Sequence, residues 1–374
     1  MDHDSRRQRL LPFLAQENLD ALLITHPVNV SYLTGFSGDS SYLILTKSKT
    51  ILVSDGRFTT QLAEECPVLE TEIRPPSQTV VEAAGGVLNK LGLNSVGFEN
   101  GHITVAMAEK LRELVPTVNW KGSPDRVERL RAIKDADEIG QIRLAIDLAQ
   151  RAFAMFRAML RLDDTEKELA DALEMDVRRV GATSTSFPPI VAVGERSALP
   201  HAPPSAKRVR EAPLLLVDWG ACGPFLGGWA PSAPYKSDLT RVLLTHNNGR
   251  YDSKLKEVVD VVLRAQQSAI QALRPGIAAK VVDEAARTVI AQAGYGDFFN
   301  HGLGHGIGLE IHETPFLKAG NETILQPGMV ITVEPGIYLP GWGGVRIEDD
   351  VLVTPDGSEV LTSLPRDLEL VSGE

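Results

Sequence analysis

The segment HGLGHGIGLEIHE, His301 to Glu313, places three imidazoles (His301, His305 and His312) on one short stretch of chain. Four glycines, Gly302, Gly304, Gly306 and Gly308, occupy every second position in it. In a helix each would cost about 0.8–1.0 kcal/mol relative to alanine. His301 and His305 are therefore read as residues of an extended segment that another backbone approaches closely, not as an i,i+4 pair on a helix face. Upstream, Asp218 sits in LLLVDWG and Asp238 in YKSDLTRVLL; downstream, Glu334 sits in MVITVEPGIY and Glu348 in GGVRIEDDVLVT. A carboxylate in a run of Leu, Val and Ile is costly to bury unless it is paired or bound to a cation. One such residue reads as an ion-paired core residue, a reading that Asp349 and Asp350 also fit. Four of them, with a histidine-rich segment between, predict a metal centre assembled from separate strands. One imidazole, His305, with four carboxylates suits Mn²⁺ and also Co²⁺, Fe²⁺ or Zn²⁺, and bridging carboxylates hold two such ions ~3.5–4 Å apart. Water between two cations is acidified into a nucleophile, so hydrolysis is the implied reaction type.

The elements that must position these groups follow from periodicity. Residues 1–122 read as an α/β domain: the apolar runs DALLIT, SYLILT and KTILVSD are strands, and GRFTTQLAEEC and ITVAMAEKLRELV have helical spacing. Within it Asp55, Gly56 and Arg57 read as a turn with an ion pair. Residues 123–135 lie in a charged stretch taken as a linker, and 136–374 form the second domain. Asp135 with Glu138, and Thr165 with Glu168, are capping boxes that open two helices. PIVAV, LLLVDWGA and SDLTRVLLT are strands; a third helix runs from about Lys254 to Leu273, and a fourth, VVDEAARTVIAQAG, ends at Gly294. The order of helices and strands after the linker is α+β. His201, in a proline-bounded loop, reads on its own as a surface histidine.

Composition narrows the function. The chain has 374 residues, 43% of them hydrophobic and 23% charged, as in soluble globular proteins. A net charge of −11 and the lack of a Lys/Arg cluster argue against a nucleic-acid partner. Two cysteines, Cys66 and Cys222, are too few for a disulfide framework or a cysteine zinc site. No apolar run is long enough for a signal peptide or a membrane span, so a cytoplasmic protein without a membrane partner is expected. The first domain carries no GxGxxG after a strand, no GxxxxGK[ST] and no GxSxG, which removes the usual signals of nucleotide binding and serine-hydrolase chemistry.

The words YLTGFSG, VSDGRF, RLRAIKDADEI, FPPIVAVGERSALPH, VDWGA, SDLTR, HGLGHGIGLEIHE, TVEPGIY and GVRIEDDVLVT, in this order along almost the whole chain, resemble the prolidase and Xaa-Pro aminopeptidase family. These are relatives of methionine aminopeptidase. The resemblance implies a creatinase-like N-terminal α/β domain followed by a pita-bread α+β catalytic domain. It also implies two divalent ions, Mn²⁺ foremost, held by Asp218, Asp238, His305, Glu334 and Glu348, with Asp238 and Glu348 bridging. Glu334 would also handle the proton of the attacking water. His312 would stabilise the oxyanion or bind the substrate carbonyl. His201 and His301 would lie on the substrate side. Arg346, which alone reads as a salt-bridge residue, would fix a ligand carboxylate, with Tyr338 near the site. Substrates would be Xaa-Pro dipeptides or peptides with proline second, and the protein a homodimer. A creatinase-like small-amide hydrolase and a non-catalytic peptide-binding scaffold are the alternatives, and the complete ligand set argues against the second.

One departure from the family is visible. Its two aspartates sit about eleven positions apart on a hairpin, whereas Asp218 and Asp238 are 20 apart. GPFLGGWAPSAP has the Gly and Pro content of an enlarged hairpin tip, and doubling a loop costs only about 0.6 kcal/mol. Phe225, Leu226, Trp229 and Pro231 are expected at the rim of the site, narrowing it or reaching a partner subunit.

Overall fold

A computed structural model describes residues 1–224, 234–245 and 253–370. The chain folds as two compact units, one built from Met1–Arg131 and the other from Ala132 onward. The enlarged hairpin tip carrying Phe225, Leu226, Trp229 and Pro231 lies outside the described residues.

The first unit is a six-stranded mixed sheet in the spatial order Glu70–Arg74, Thr50–Asp55, Tyr42–Thr46, Ala21–Ile24, Ser95–Phe98, Asn119–Gly122. Ala21–Ile24 runs antiparallel to Tyr42–Thr46 and parallel to Ser95–Phe98. All four residues of Ala21–Ile24 are buried, as a central strand covered on both faces requires. The helix Val80–Leu91, which sequence periodicity did not single out, buries Ala83, Ala84, Val87 and Leu88 against the sheet. Its start is fixed by a capping box between Thr79 and Glu82. Asp55 takes the turn role expected of it. Its Oδ1 accepts from the Arg57 amide at 2.9 Å, and the Arg57 guanidinium holds its carboxyl down at about 2. Asp55→Ala is expected to cost about 1 kcal/mol in urea unfolding. In the native protein this contribution is present above the ordinary Asp value and lost as pH falls towards 2.

Part of the stretch read as a linker is ordered: Arg126–Arg131 is a helix of the first unit. Its polar composition is consumed internally, since buried Arg131 donates through Nη1 to Asn29 Oδ1 at 2.8 Å.

In the second unit the capping boxes Asp135/Glu138 and Thr165/Glu168 open the helices Ala136–Met159 and Glu166–Arg179 as the sequence predicts. The other long helices are Ser253–Ala272 and Ala279–Gln292. A four-stranded sheet contains the antiparallel strands Ile190–Val193, Leu214–Trp219 and Leu239–Leu244. Alternate residues of these strands enter two different cores. Leu214, Leu216 and Val242 pack with the third and fourth helices, whereas Leu215, Val217 and Trp219 pack with the first and second. This is why LLLVDW reads as an unbroken apolar run. Trp219 stacks on Phe153 with centroids 4.1 Å apart and donates its indole N–H to Ala149 O at 3.0 Å, anchoring the end of the strand that carries Asp218. A five-stranded antiparallel sheet follows in the order Glu313–Leu317, Gly304–Gly306, Val330–Val333, Asp349–Thr354, Gly357–Val360. The pair Gly336–Leu339 and Gly343–Arg346 forms a separate hairpin.

Among the described residues no helix is long and apolar enough to cross a membrane.

Candidate active site

Every residue singled out from the sequence for chemistry lines one cavity of about 750 Å³ in the second unit. The two aspartates come from the antiparallel hairpin. Asp218 pairs in register with Thr240, and Asp238 precedes the returning strand by one residue. The hairpin pairing continues past the ligand positions, with Gly223 N donating to Tyr235 O at 2.7 Å, so both aspartates lie within its paired segment. Glu348 comes in beside them through a bridge to Thr240, whose Oγ1 donates to Glu348 Oε2 at 2.6 Å.

His305 lies on the short strand Gly304–Gly306, which is extended as its glycines predict. The reason for two of these glycines is direct. A Cβ at Gly304 would lie 2.0 Å from Thr332 O, and one at Gly306 would lie 2.4 Å from Thr314 O, both backbone atoms of neighbouring strands. Gly304→Ala is therefore expected to force the strands apart and cost more than about 3 kcal/mol. Urea unfolding within about 0.5 kcal/mol of wild type would show that close approach is not the reason for this glycine.

The His305 imidazole has a defined orientation. Nδ1 faces Gly306 O at 3.1 Å, and burial lowers its pKa to about 4. Nδ1–H is therefore the donor, and the unprotonated Nε2 faces Asp238 Oδ2 at 3.7 Å and Glu334 Oε1 at 3.5 Å. Donor atoms of Asp238, His305 and Glu348 all lie within 4.8 Å of one another.

Around this group the electrostatics are unbalanced. Burial raises Asp218, Asp238 and Glu348 and lifts Glu334 to about 8, and mutual repulsion raises Asp238 and Glu348 further. Arg346 is the cation that opposes this, donating through Nη2 to Asp218 Oδ2 at 2.5 Å. Asp218 Oδ1 is buried and has no hydrogen-bond partner. Three buried carboxylates and a half-buried fourth, Glu334, with one guanidinium, an orphaned carboxylate oxygen and an unprotonated imidazole nitrogen, are the donor set of a site for divalent cations.

Arg346 and Tyr338 lie on the two strands of the small hairpin. Arg346 Nη1 donates to Tyr338 Oη at 2.8 Å, and Tyr338 Oη lies 2.9 Å from His301 Nε2. Burial pushes the tyrosine up to about 12, so its hydroxyl keeps the proton. His301 Nδ1 faces Gly302 O at 2.7 Å, and burial lowers the ring to about 4. The proton order is then Arg346 to Tyr338, Tyr338 to His301 Nε2, and His301 Nδ1–H to Gly302 O. His312 is exposed and meets His305 edge to face, with centroids 4.4 Å apart. His201 is likewise exposed, on the proline-rich wall of the cavity.

Three residues hold the site in ways not read from the sequence. Thr240 links Arg346 and Glu348; Thr332 receives the His305 amide on Oγ1 at 3.1 Å; Asp350 Oδ2 accepts from the Asp238 amide at 3.1 Å. Period 2 along a strand is the signal for the threonines, since Thr240 follows Asp238 by two and Thr332 precedes Glu334 by two. Asp349 is the ion-paired core residue its sequence setting suggested, bonded to Arg241, Gln266, Thr362 and Arg366.

Fold and site together define a hydrolase whose chemistry rests on divalent metal. Residues 140–355 match metallopeptidase family M24, and residues 6–133 match the creatinase/prolidase N-terminal domain. The chain belongs to metallopeptidase family M24. It is 35% identical over 363 residues to the Xaa-Pro dipeptidase of Pyrococcus horikoshii, covering 96% of this chain and 97% of that one. A solved Xaa-Pro dipeptidase from Bacillus anthracis superposes with a TM-score of 0.91 at 33% identity, covering 99% of this chain and 100% of the other. The X-Pro aminopeptidase of Thermotoga maritima gives 0.86 at 34% identity, covering 98% and 100%. The two-domain architecture expected from the sequence, with a creatinase-like unit ahead of a pita-bread catalytic unit, is the one found.

Proposed function

We propose that this protein hydrolyses the peptide bond between an N-terminal residue and proline, as an Xaa-Pro dipeptidase or aminopeptidase. The observation that carries the reading is the convergence of four carboxylates, three of them buried, and the unprotonated His305 Nε2 on one cavity, in a chain similar throughout its length to proteins named for Xaa-Pro cleavage. Asp218, Asp238, His305, Glu334 and Glu348 would hold two divalent ions, with Mn²⁺ favoured by the carboxylate-rich donors over Co²⁺, Zn²⁺ or Fe²⁺. When bound, the ions acidify water and polarise the scissile carbonyl.

The chain's own groups supply the rest. Glu334 takes the proton of the attacking water and returns it to the proline nitrogen, which departs as a secondary amine as the C–N bond breaks. His312 donates to the oxygen on which charge develops. Arg346 fixes Asp218 and, through Tyr338, holds His301 in one tautomer on the substrate side, with His201 opposite. Phe187, Ile190, Ile311 and Phe316 give the cavity apolar walls suited to a prolyl ring. A dedicated site is needed because an Xaa-Pro bond carries no N–H for a general peptidase to grip. A homodimer working in the cytoplasm completes the proposal.

Protein stripped of metal and reloaded with Mn²⁺, Co²⁺ or Zn²⁺ is to be assayed on Ala-Pro, Ala-Pro-Ala and longer peptides with proline second. Cleavage confined to the dipeptide makes it a dipeptidase; cleavage of all makes it an aminopeptidase. No metal-dependent cleavage of any of them would overturn the reading in favour of a small-amide substrate.

A further inference from the structure

The first unit carries a second cluster of metal-ligating side chains, remote in sequence from the catalytic residues. His26, His102 and Glu128 each offer a donor atom, and these atoms lie within 4.8 Å of one another. His26 follows the strand Ala21–Ile24, His102 follows the strand Ser95–Phe98, and Glu128 is on the helix Arg126–Arg131. The two strands are parallel neighbours, with Leu23 opposite Phe98. Both histidines therefore leave the sheet at the carboxyl ends of adjacent parallel strands, where open α/β sheets present their ligand-binding crevices.

Two features make this more than a chance meeting of polar groups. The imidazole rings stack with centroids 3.7 Å apart and planes 9° from parallel. The stack holds a nitrogen of each ring within 4.8 Å of the other and of a Glu128 carboxylate oxygen. The carboxylate is also held from behind. Glu128 Oε1 accepts from Asn29 Nδ2 at 2.6 Å and faces His102 Nε2 at 3.1 Å. Asn29 is fully buried and tied by Arg131 and Glu99, and Glu99 in turn accepts the His26 amide at 2.9 Å. Partners that orient a ligand carboxylate and the backbone of a ligand histidine are what a metal site needs behind its donors. The side chains of His102 and Glu128 keep 31% and 20% of their exposure, which leaves a path for an ion and room for water.

We propose that His26, His102 and Glu128 form a second metal site, for a divalent cation of the zinc type. Two imidazoles and one carboxylate, with water in the open position, is a donor set that zinc takes readily and that Mn²⁺ or Mg²⁺ prefers less. Zinc bonds of about 2.0–2.2 Å put the donors roughly 3.3–3.5 Å apart, so the site closes when the part-exposed rings turn out of their stack and bring their in-plane lone pairs onto one ion. The ion would clamp the ends of two strands to the helix Arg126–Arg131.

The test uses the full chain, stripped of metal and dialysed against Zn²⁺, with bound zinc counted by elemental analysis and thermal unfolding followed in parallel. His102→Ala is expected to bind about one zinc per chain fewer than wild type and to lose part of the zinc-induced rise in Tm. Peptide hydrolysis after Mn²⁺ loading should be unchanged, which separates this site from the catalytic one. Glu128→Gln keeps an acceptor for Asn29 and should weaken zinc binding at this site by at least about tenfold; it carries the test if His102→Ala folds poorly. Zinc content and Tm response equal to wild type in the folded variants would overturn the proposal.

Discussion

Glu334→Gln is expected to leave a folded protein whose hydrolysis of Ala-Pro is slowed by at least about 10³-fold in kcat. The amide keeps the volume of the side chain and an acceptor for Thr332 Oγ1, which lies 3.4 Å from Glu334 Oε1, and the Glu334 amide still donates to Leu303 O at 2.9 Å. What disappears is the capacity to take a proton from water and deliver it to the leaving nitrogen, together with one anionic metal donor. The two losses separate experimentally. Saturating Mn²⁺ repairs weakened metal binding but not a missing proton carrier, so kcat measured at saturating metal should stay low. A rate within tenfold of wild type under those conditions would assign the proton transfer to another group.

Metal-stripped protein is expected to lose stability as pH rises from 6.5 to 8. Burial lifts Glu334 to about 8 and holds Asp238, Glu348 and Asp350 well above the ordinary carboxylate range, whereas an unfolded glutamate titrates near 4.5. Between those values the folded chain holds protons that the unfolded chain has released, so raising the pH drives unfolding. His301 and His305 act in the opposite sense, because burial lowers both to about 4, but their influence is half spent at the unfolded value of 6.5 and fades above it. As the histidines fade the carboxylates dominate the slope, about 1.4 kcal/mol per pH unit for each proton, or about 2 kcal/mol over the interval for a single group. Loading with Mn²⁺ should flatten the profile, since the carboxylates are then ionised against cations. Urea unfolding at a series of pH values measures both curves. A metal-free stability that is flat or rises over this range would mean that the carboxylates are not strained by one another as the geometry implies.

How much of this was legible in the sequence depends on how far apart the cooperating residues lie. The ligand candidates were visible because each puts a charge inside an apolar run, and the extended histidine segment because alternate glycines exclude a helix. Helix starts at Asp135 and Thr165 were visible because a capping box is a four-residue signal. The supporting contacts were not. Asp349 is satisfied by Arg241, Gln266, Thr362 and Arg366, and Asp238 is held by Asp350, pairings that only the sheet order creates. The tautomer of His301 likewise depends on Tyr338, which reaches it from another hairpin. The cluster of His26, His102 and Glu128 was invisible for the same reason, being dispersed over a hundred residues of chain and joined by two adjacent strand ends.

The most direct test of the account is titration of metal-stripped protein with Mn²⁺ while Ala-Pro hydrolysis is followed. The carboxylate-rich site predicts no measurable hydrolysis without metal, and a rise to a plateau as the ions are restored. Full hydrolysis by the stripped protein, unchanged on adding Mn²⁺, would contradict it.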